Sequence, residues 1–252
     1  GALEALLEGG AAALRGLRRC VEESGEPCEG NVMHTWNSWQ VEDQMEAKRK
    51  NLVALARSLR RGGGDGEDGP PWILEIGFNA GHSCCLMLLA HPTARLVAFD
   101  LCEHSYSRPC AEVLRRHFGP ERLELHAGPS GETLPAYRAA HPGAVFDLLH
   151  VDGGHQYCVA LEDVENCLLL ARPASSPGPR SLLVLDDTDI TGIAAVWDDF
   201  AASGRLLECR PVHELGDYKH AIGELLRGGL EEPGTCGACG AGGAPMACGG
   251  CK

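Results

Sequence analysis

The chain has 252 residues and a formal net charge of −13, with 44% hydrophobic and 23% charged residues. This is the composition of an ordinary globular protein, and the length allows one sizeable core with appendages. The negative charge disfavours a nucleic-acid partner, which would require a basic face. No apolar run approaches the roughly 18 residues that a membrane-spanning helix needs, so no membrane partner is predicted.

Residues 1–61 are predicted to form a helical cap region. Helical spacing covers residues 1–20, and residues 40–61 have the pattern of a stronger amphipathic helix. Between them, the stretch GEPCEGNVMHTWNSW (25–39) is irregular, and it is either a packed connector or a lid over a pocket. A flexible linker, GGGDGEDGPP, follows at 62–71.

Strand-like and helix-like patterns alternate from residue 72 to residue 228. This alternation predicts a doubly wound, Rossmann-like α/β domain with seven strands and helices on both faces of the sheet. Only GDYK separates the last two strands, which therefore should form an antiparallel hairpin. The predicted strands are 72–78, 95–101, 122–128, 146–153, 181–188, 206–215 and 220–226, and the predicted helices are 81–90, 107–118, 130–140, 156–171 and 191–203.

The turn after the first strand indicates the kind of cofactor. Its spacing is E-x-G-x-x-x-G, from Glu75 to Gly81, rather than the GxGxxG of a dinucleotide-binding turn. A carboxylate such as Glu75 suits a ligand with a cationic part better than it suits a pyrophosphate. Asp100, at the end of the second strand, is placed to accept hydrogen bonds from two ribose hydroxyls. A cofactor with a ribose, an amino group and no phosphate fits, and S-adenosylmethionine is such a molecule.

The stretch ILEIGFNAGHS, followed by AFD, resembles the first motif and the ribose-binding acid of class I S-adenosylmethionine-dependent methyltransferases. The resemblance implies a seven-stranded sheet whose last strand is antiparallel. HAGPSGETLP (126–135) is similar to a family segment whose acid and serine lie near the adenine; Pro129 replaces the acid here, so only Ser130 carries over. The implied cofactor-binding residues are Glu75, Gly77, Asn79, Gly81, His82, Ser83, Asp100, Ser130 and Asp152.

Three carboxylates are predicted to converge where the fourth and fifth strands end. Asp152 follows the fourth strand, and Asp186 and Asp187 end the fifth. Such a cluster calls for a cation, and its hard oxygen ligands suit Mg²⁺, Mn²⁺ or Ca²⁺. The alternative is that one of these acids caps the following helix while the others stay solvated; Thr188 or Asp189 could equally be that cap.

VDGGHQY and LLVLDDTD are similar to the metal-dependent O-methyltransferase branch of the family, of the methyltransferase 24 type, which includes catechol, caffeoyl-coenzyme A and macrolide-sugar enzymes. The resemblance implies that Asp152, Asp186 and Asp187 hold Mg²⁺ and that the substrate's hydroxyls complete its coordination. Related sugar enzymes have a second Asp as the base, where this chain has Gly154. His155 is the next candidate for the base, with Asp152 also assigned to catalysis; otherwise His155 is a helix-start residue bonded to the backbone.

The cysteines are informative by position. CGACGAGGAPMACGGCK has the spacing C-x2-C-x8-C-x2-C, formed by Cys236, Cys239, Cys248 and Cys251. This spacing predicts a zinc site and resembles the first half of a MYND finger, a protein-interaction module; the alternative is a disordered tail (229–252). Four others, Cys84, Cys85, Cys158 and Cys167, fall in apolar helical patterns, which suggests a reducing compartment, the cytosol or the nucleus.

The leading functional hypothesis is a metal-assisted O-methyltransferase that acts on a small hydroxylated molecule. The second is a methyltransferase-like scaffold that recruits protein partners through the finger, and Gly154 and Pro129 favour it. The third, a nicotinamide-dependent oxidoreductase, lacks the GxGxxG turn.

Overall fold

The computed structural model describes residues 1–28, 30–34, 39–41, 43–60, 69–173, 175–176, 178–211, 213–214, 216 and 219–227. The predicted zinc ligands Cys236, Cys239, Cys248 and Cys251, and most of the predicted linker, lie outside these residues. Of the described helices, none combines the length and the apolar character that crossing a bilayer requires.

Seven strands form one sheet in the order β3-β2-β1-β4-β5-β7-β6. The first five strands run parallel, and β7 pairs antiparallel with both β5 and β6. The predicted fold class and the predicted terminal hairpin are therefore confirmed. The strands are β1 (Trp72–Ile76), β2 (Arg95–Asp100), β3 (Leu123–Ala127), β4 (Leu148–Val151), β5 (Leu182–Asp186), β6 (Leu206–Cys209) and β7 (His220–Leu225).

Eight α-helices cover the two faces of the sheet. They are α1 (Ala2–Gly9), α2 (Ala11–Ser24), α3 (Glu46–Ser58), α4 (His82–Ala90), α5 (Ser107–Phe118), α6 (Ser130–Ala140), α7 (Tyr157–Leu170) and α8 (Thr191–Ala202), counted over the described residues. Successive residues of a strand face opposite sides of the sheet and belong to two separate hydrophobic cores. Ile73 belongs to the core that includes residues of α1 to α5, and Leu74 belongs to the core that includes residues of α6 to α8. The N-terminal helices thus share a core with α4 and α5.

Two predicted elements differ from the observed ones. The helix predicted over residues 1–20 is two helices, because the chain breaks at Gly10, where a Cβ atom would lie 2.2 Å from Leu89 Cδ1. The sixth strand, predicted to reach residue 215, ends at Cys209 within the described residues. Its continuation contains Pro211, which cannot donate a hydrogen bond to a sheet ladder.

Candidate active site

The site lies where the carboxyl ends of β1 and β4 meet, with β2 and β5 on either side. Strand order reverses at this point, and the open edge of such a sheet is where ligands bind. Gly77, just beyond β1, has φ +92°, and a Cβ atom there would lie 1.8 Å from the carbonyl oxygen of Asp152. Only glycine fits this approach, because the conformation and the contact both exclude a side chain.

Asn79 ties three segments together beside this contact. Its backbone N–H donates to Asp100 Oδ2 (2.8 Å), and its side-chain Nδ2 donates to the carbonyl oxygen of Gly30 (3.0 Å). The Tyr106 hydroxyl donates to Asn79 Oδ1 (2.7 Å). The second carboxylate oxygen of Asp100 accepts from the Cys102 N–H (2.6 Å). Asp100 is therefore fixed in orientation at the end of β2.

Two adjoining cavities open at this edge. The first, of about 570 Å³, is bounded by the N-terminal segment at Asn31 and by Lys48, Asp186 and Asp187. The second, of about 710 Å³, extends between β2 and the starts of α6 and α7. The residues common to both linings are Gly77, Asn79, His104, Asp152, Gly153 and His155.

Only some of the predicted cofactor-binding residues line the cavities. Asp100 and Ser130 line the second cavity, and His82 and Ser83 line the first. Glu75 and Gly81 line neither cavity. Glu75 is fully buried below the floor, where it accepts a hydrogen bond from Ser83 Oγ (2.5 Å) and lies 3.1 Å from His150 Nδ1.

Two buried histidines lie near this floor in opposite electrostatic settings. Burial opposes protonation of His150, but the carboxylates of Glu75, Asp152 and Asp186 outweigh it and raise its pKa. Burial lowers the pKa of His82 to about 3. Within the described part of the chain neither ring nitrogen of His82 has a hydrogen-bond partner. The neighbouring acids thus oppose the effect of burial on the pKa of His150, whereas burial keeps His82 neutral.

Asp163, on α7, lies beneath the second cavity. A Cβ atom on Gly153 would lie 3.1 Å from Asp163 Oδ2. Burial raises the pKa of Asp163 to about 6, against a smaller opposing effect of the Ser130 side chain. The predicted adenine-side residue Ser130 therefore also neighbours a buried acid.

The register of β4 and β5 brings the predicted acidic cluster together. Val151 is opposite Leu185, so Asp152 and Asp186 leave the sheet side by side. Burial, and then the charge of Asp186, raise the pKa of both Asp152 and Asp187. Asp189 lies apart and accepts from the Lys219 N–H (3.2 Å).

The alternative assignment of these acids as helix caps finds no support in the described residues. Neither α7 nor α8 has a hydrogen bond from its backbone to an N-cap side chain, and the N-cap residues are Gln156 and Ile190. The acids therefore have no capping role that would account for their position.

Lys48, on α3, is the cation that sequence reasoning missed. Its Nζ atom lies 2.5 Å from Asp186 Oδ1 and 3.5 Å from Asp187 Oδ1, and its side chain is only 3% exposed. Burial opposes its charge, but Asp186 and Asp187 outweigh burial and raise the pKa of Lys48. A helical signal existed: Lys48, Leu52 and Leu55 recur at helical spacing, and all three are buried.

His155 is paired with the other side of the cluster. Its Nε2 atom lies 2.9 Å from Asp187 Oδ2, and its side chain is 60% exposed at the mouth of both cavities. Donor atoms of Asp152, His155 and Asp187 lie within 4.8 Å of one another, as do those of His150, Asp152 and Asp186. The structure thus gathers the predicted base and the predicted acids in one place.

A second contact missed by sequence reasoning joins the N-terminal segment to His104, which lines both cavities. Glu26 Oε2 lies 2.9 Å from His104 Nδ1, and Glu26 Oε1 accepts from the Ser105 N–H (3.0 Å). Hydrogen bonds from Ser105 and His104 lower the pKa of Glu26 to about 2. Part of the stretch predicted to be a connector or a lid therefore lies against the cavity wall.

Comparison with known protein families identifies the central region. A family model described as a methyltransferase domain matches residues 74–188. No curated protein sequence matches the chain. The match covers less than half of the chain and lies within the predicted methyltransferase domain. It includes the ends of β1, β2, β4 and β5, which border the two cavities.

Solved structures resemble the chain over most of its length. An O-methyltransferase from Bacillus cereus, solved in complex with SAH, has a TM-score of 0.59 at 16% identity, covering 84% of this chain and 90% of that one. TomG from Streptomyces achromogenes, an O-methyltransferase of tomaymycin synthesis solved with SAM, has a TM-score of 0.59 at 21% identity, covering 85% and 89%. Cofactor-bound Rv0187 from MTB has a TM-score of 0.60 at 19% identity, covering 86% and 90%. At these identities the likeness confirms the fold.

Proposed function

We propose that the protein is an S-adenosylmethionine-dependent methyltransferase that methylates a hydroxyl oxygen of a small molecule. The observation that carries the proposal is the pair of adjoining cavities, which meet at Gly77 and Asp152 on the open edge of the sheet. One cavity has the features of a nucleoside site, and the other has a paired histidine and aspartate. Both volumes are in the range of small-molecule sites, about 300 to 1,000 Å³.

The second cavity is assigned to the cofactor's nucleoside. Each oxygen of Asp100 already accepts one backbone N–H, and a carboxylate can accept about four hydrogen bonds, so ribose hydroxyls can be added. Ser130 lies at the far end of this cavity, on the side proposed for the adenine. The methionine part would then pass Gly77 and Asn79 toward the first cavity.

The first cavity is assigned to the methyl acceptor. Methyl transfer is an in-line displacement: the acceptor oxygen bonds to the methyl carbon, the carbon–sulfur bond breaks, and the acceptor loses a proton. When neutral His155 donates its Nε2–H to Asp187, the Nδ1 lone pair is free to take that proton. Asp187 also stabilises the imidazolium that forms, as in other histidine–carboxylate pairs.

The sequence also predicts a divalent cation at Asp152, Asp186 and Asp187. In the predicted scheme it lowers the pKa of the acceptor hydroxyl and orients it. The carboxylates are gathered as that scheme requires, yet Asp186 is already engaged by the Lys48 ammonium. The set Asp152, Asp186 and Asp187 does not fit a divalent ion while Lys48 is in place, so no step is assigned to a metal.

Calorimetric titration with S-adenosylhomocysteine tests the proposal. The wild-type protein is expected to bind it in the micromolar range. D100N should weaken binding at least tenfold, because Asp100 lines the nucleoside cavity, whereas D187N should leave the affinity nearly unchanged, because Asp187 lines only the other cavity. D198N, at an exposed position of α8, is the matched control.

Absence of binding by the wild-type protein would overturn the proposed function. Equal losses in D100N and D187N would overturn the assignment of the two cavities. The scaffold alternative depends on the cysteine-rich tail, which lies outside the described residues, and no contact among the described residues supports it. A protein partner for that tail, a zinc ion within it, and a cytosolic or nuclear location stay predictions.

A further inference from the structure

We propose that Lys48 is the resident cation of the acidic strand ends and takes the place of a divalent metal ion at Asp186 and Asp187. The inference concerns the charge balance of the site and goes beyond the proposed methyl transfer. It rests on the position of one ammonium group, on the anchoring of the helix that carries it, and on the exclusion of a second cation.

The ammonium lies between the two carboxylates that the sequence assigns to a metal. Nζ is 2.5 Å from Asp186 Oδ1 and 3.5 Å from Asp187 Oδ1, and the side chain is 3% exposed. Among the described residues Lys48 is the only lysine or arginine that forms an ion pair with Asp152, Asp186 or Asp187. The chain therefore supplies its own compensating charge to two of the three clustered carboxylates.

Helix α3 holds this lysine in a fixed position. One turn along, Asn51 Nδ2 donates to the carbonyl oxygen of His213 (3.0 Å), and its Oδ1 accepts from the His213 N–H (2.8 Å). Asn51 also lies 3.1 Å from His220 Nε2, at the start of the strand that pairs with β5. Leu52 and Ala56 of the same helix are buried in the core. The site of the ammonium is thus part of the packed structure.

A divalent ion bound to Asp186 and Asp187 would lie about 2 to 2.6 Å from their oxygens. Since the Lys48 ammonium already contacts both carboxylates, the two cations would be within a few ångströms of each other beside side chains that are only 9% (Asp186) and 24% (Asp187) exposed. Their repulsion is strong in such a setting. Lysine and metal therefore exclude one another at this pair of acids.

The lysine also positions the His155–Asp187 pair. Asp187 Oδ1 faces Lys48, and Asp187 Oδ2 faces His155 Nε2 at 2.9 Å. The carboxylate is held from both sides, so its orientation toward the imidazole depends on Lys48. Lys48 is accordingly a positioning residue for the proposed proton acceptor.

Titration with Mn²⁺, followed by calorimetry and by electron paramagnetic resonance, tests the inference without an activity assay. We expect no saturable site tighter than millimolar in the wild-type protein. K48M should gain a site at least thirtyfold tighter, and K48M/D187N should lose it again. K50M is the matched control, because Lys50 is on the same helix but its side chain is 38% exposed and pairs with Glu46 (2.7 Å).

Thermal unfolding supplies a second readout. In EDTA, K48M should have a lower Tm than the wild-type protein and K50M, and Mn²⁺ should restore it in K48M alone. K48R keeps the positive charge and should fold without gaining a metal site. This second variant tests the role of the charge even if K48M does not fold. Micromolar Mn²⁺ binding by the wild-type protein, or a folded K48M without a metal site, would overturn the inference. Binding of S-adenosylhomocysteine is measured in a separate experiment. A protein that did not bind it would contradict the proposed function without changing the result expected with Mn²⁺.

Discussion

The aspartates that flank β4, Asp147 and Asp152, differ in whether a cationic side chain pairs with them. Asp147, before the strand, is buried and fully compensated: Arg172 lies 2.7 Å from its Oδ1, and the Trp72 N–H donates to its Oδ2 at 2.9 Å. Asp152, after the strand, has no lysine or arginine partner among the described residues, and burial together with Asp186 raises its pKa. An arginine thus balances the charge of Asp147, whereas no lysine or arginine in the described part of the chain pairs with Asp152.

The difference distinguishes the edge of the sheet that carries a structural ion pair from the edge that carries the proposed active site. The N-terminal edge neutralises its acid with a dedicated arginine, as a structural ion pair requires. The C-terminal edge gathers three carboxylates, and Lys48 pairs with two of them, Asp186 and Asp187. Perturbed acids of this kind concentrate at functional sites. Substitutions at each edge should therefore have different effects on stability.

The largest effect is expected for G77A at the functional edge. The new Cβ would meet the Asp152 carbonyl oxygen at 1.8 Å, and φ at this position is +92°. We expect a loss of about 4 kcal/mol or more in the free energy of unfolding, or no soluble protein. G143A is the control, since nothing lies within 4 Å of a Cβ at Gly143. Urea unfolding within about 1 kcal/mol of wild type would contradict the close contact between the β1 and β4 ends.

The next effect is expected for D147N at the structural edge. The substitution leaves Arg172 beside a neutral amide in a mostly buried position, which should cost about 3 kcal/mol in the free energy of unfolding. D198N, on the exposed surface, should be near neutral. If D147N also proved neutral in urea unfolding, the idea that this edge carries the structural charge would fail.

These first predictions rest on features that the sequence revealed only in part. Strand alternation predicted the sheet and the convergence of Asp152 with Asp186, because parallel strands end at a common edge. The partners of these acids were beyond prediction. Lys48 lies 139 residues before Asp187, and its neighbours Arg49 and Lys50 make the segment look like a solvated face.

Glu75 illustrates the same limit. Its place at the end of the first strand predicted a cofactor contact, but the structure gives its carboxylate to Ser83 and His150. One partner is eight residues away and the other is 75 residues away, so only the register of β1 against β4 brings the second within reach. Which face of a buried strand a polar residue takes depends on such distant partners.

A third acid, Asp163, should make the stability of the protein depend on pH. Its pKa is about 6 in the folded protein and near 3.8 when unfolded, so the folded state binds the proton more tightly. Below pH 4 both states are protonated and there is no penalty; as pH rises through 4 to 6 the wild-type protein loses stability. D163N should therefore gain about 2 kcal/mol relative to wild type between pH 4 and pH 7. A difference between the two proteins that stays constant with pH in urea unfolding would contradict the raised pKa.

The smallest effect, and one of opposite sign to D147N, is expected for D152N. Removing this charge relieves repulsion from Asp186 and Asp187, so the free energy of unfolding should rise by about 1 kcal/mol at pH 7. The paired measurement compares D147N and D152N under the same conditions. A loss of stability in D152N comparable to that in D147N would mean that both ends of β4 are structural.

A crystal structure of the protein with S-adenosylhomocysteine would show whether this edge of the sheet binds the cofactor. We expect ribose hydroxyls within hydrogen-bond distance of Asp100, the sulfur beside Gly77 facing the first cavity, and Lys48 still paired with Asp186. A ligand bound away from Gly77 and Asp100 would contradict the assignment of this edge as the active site.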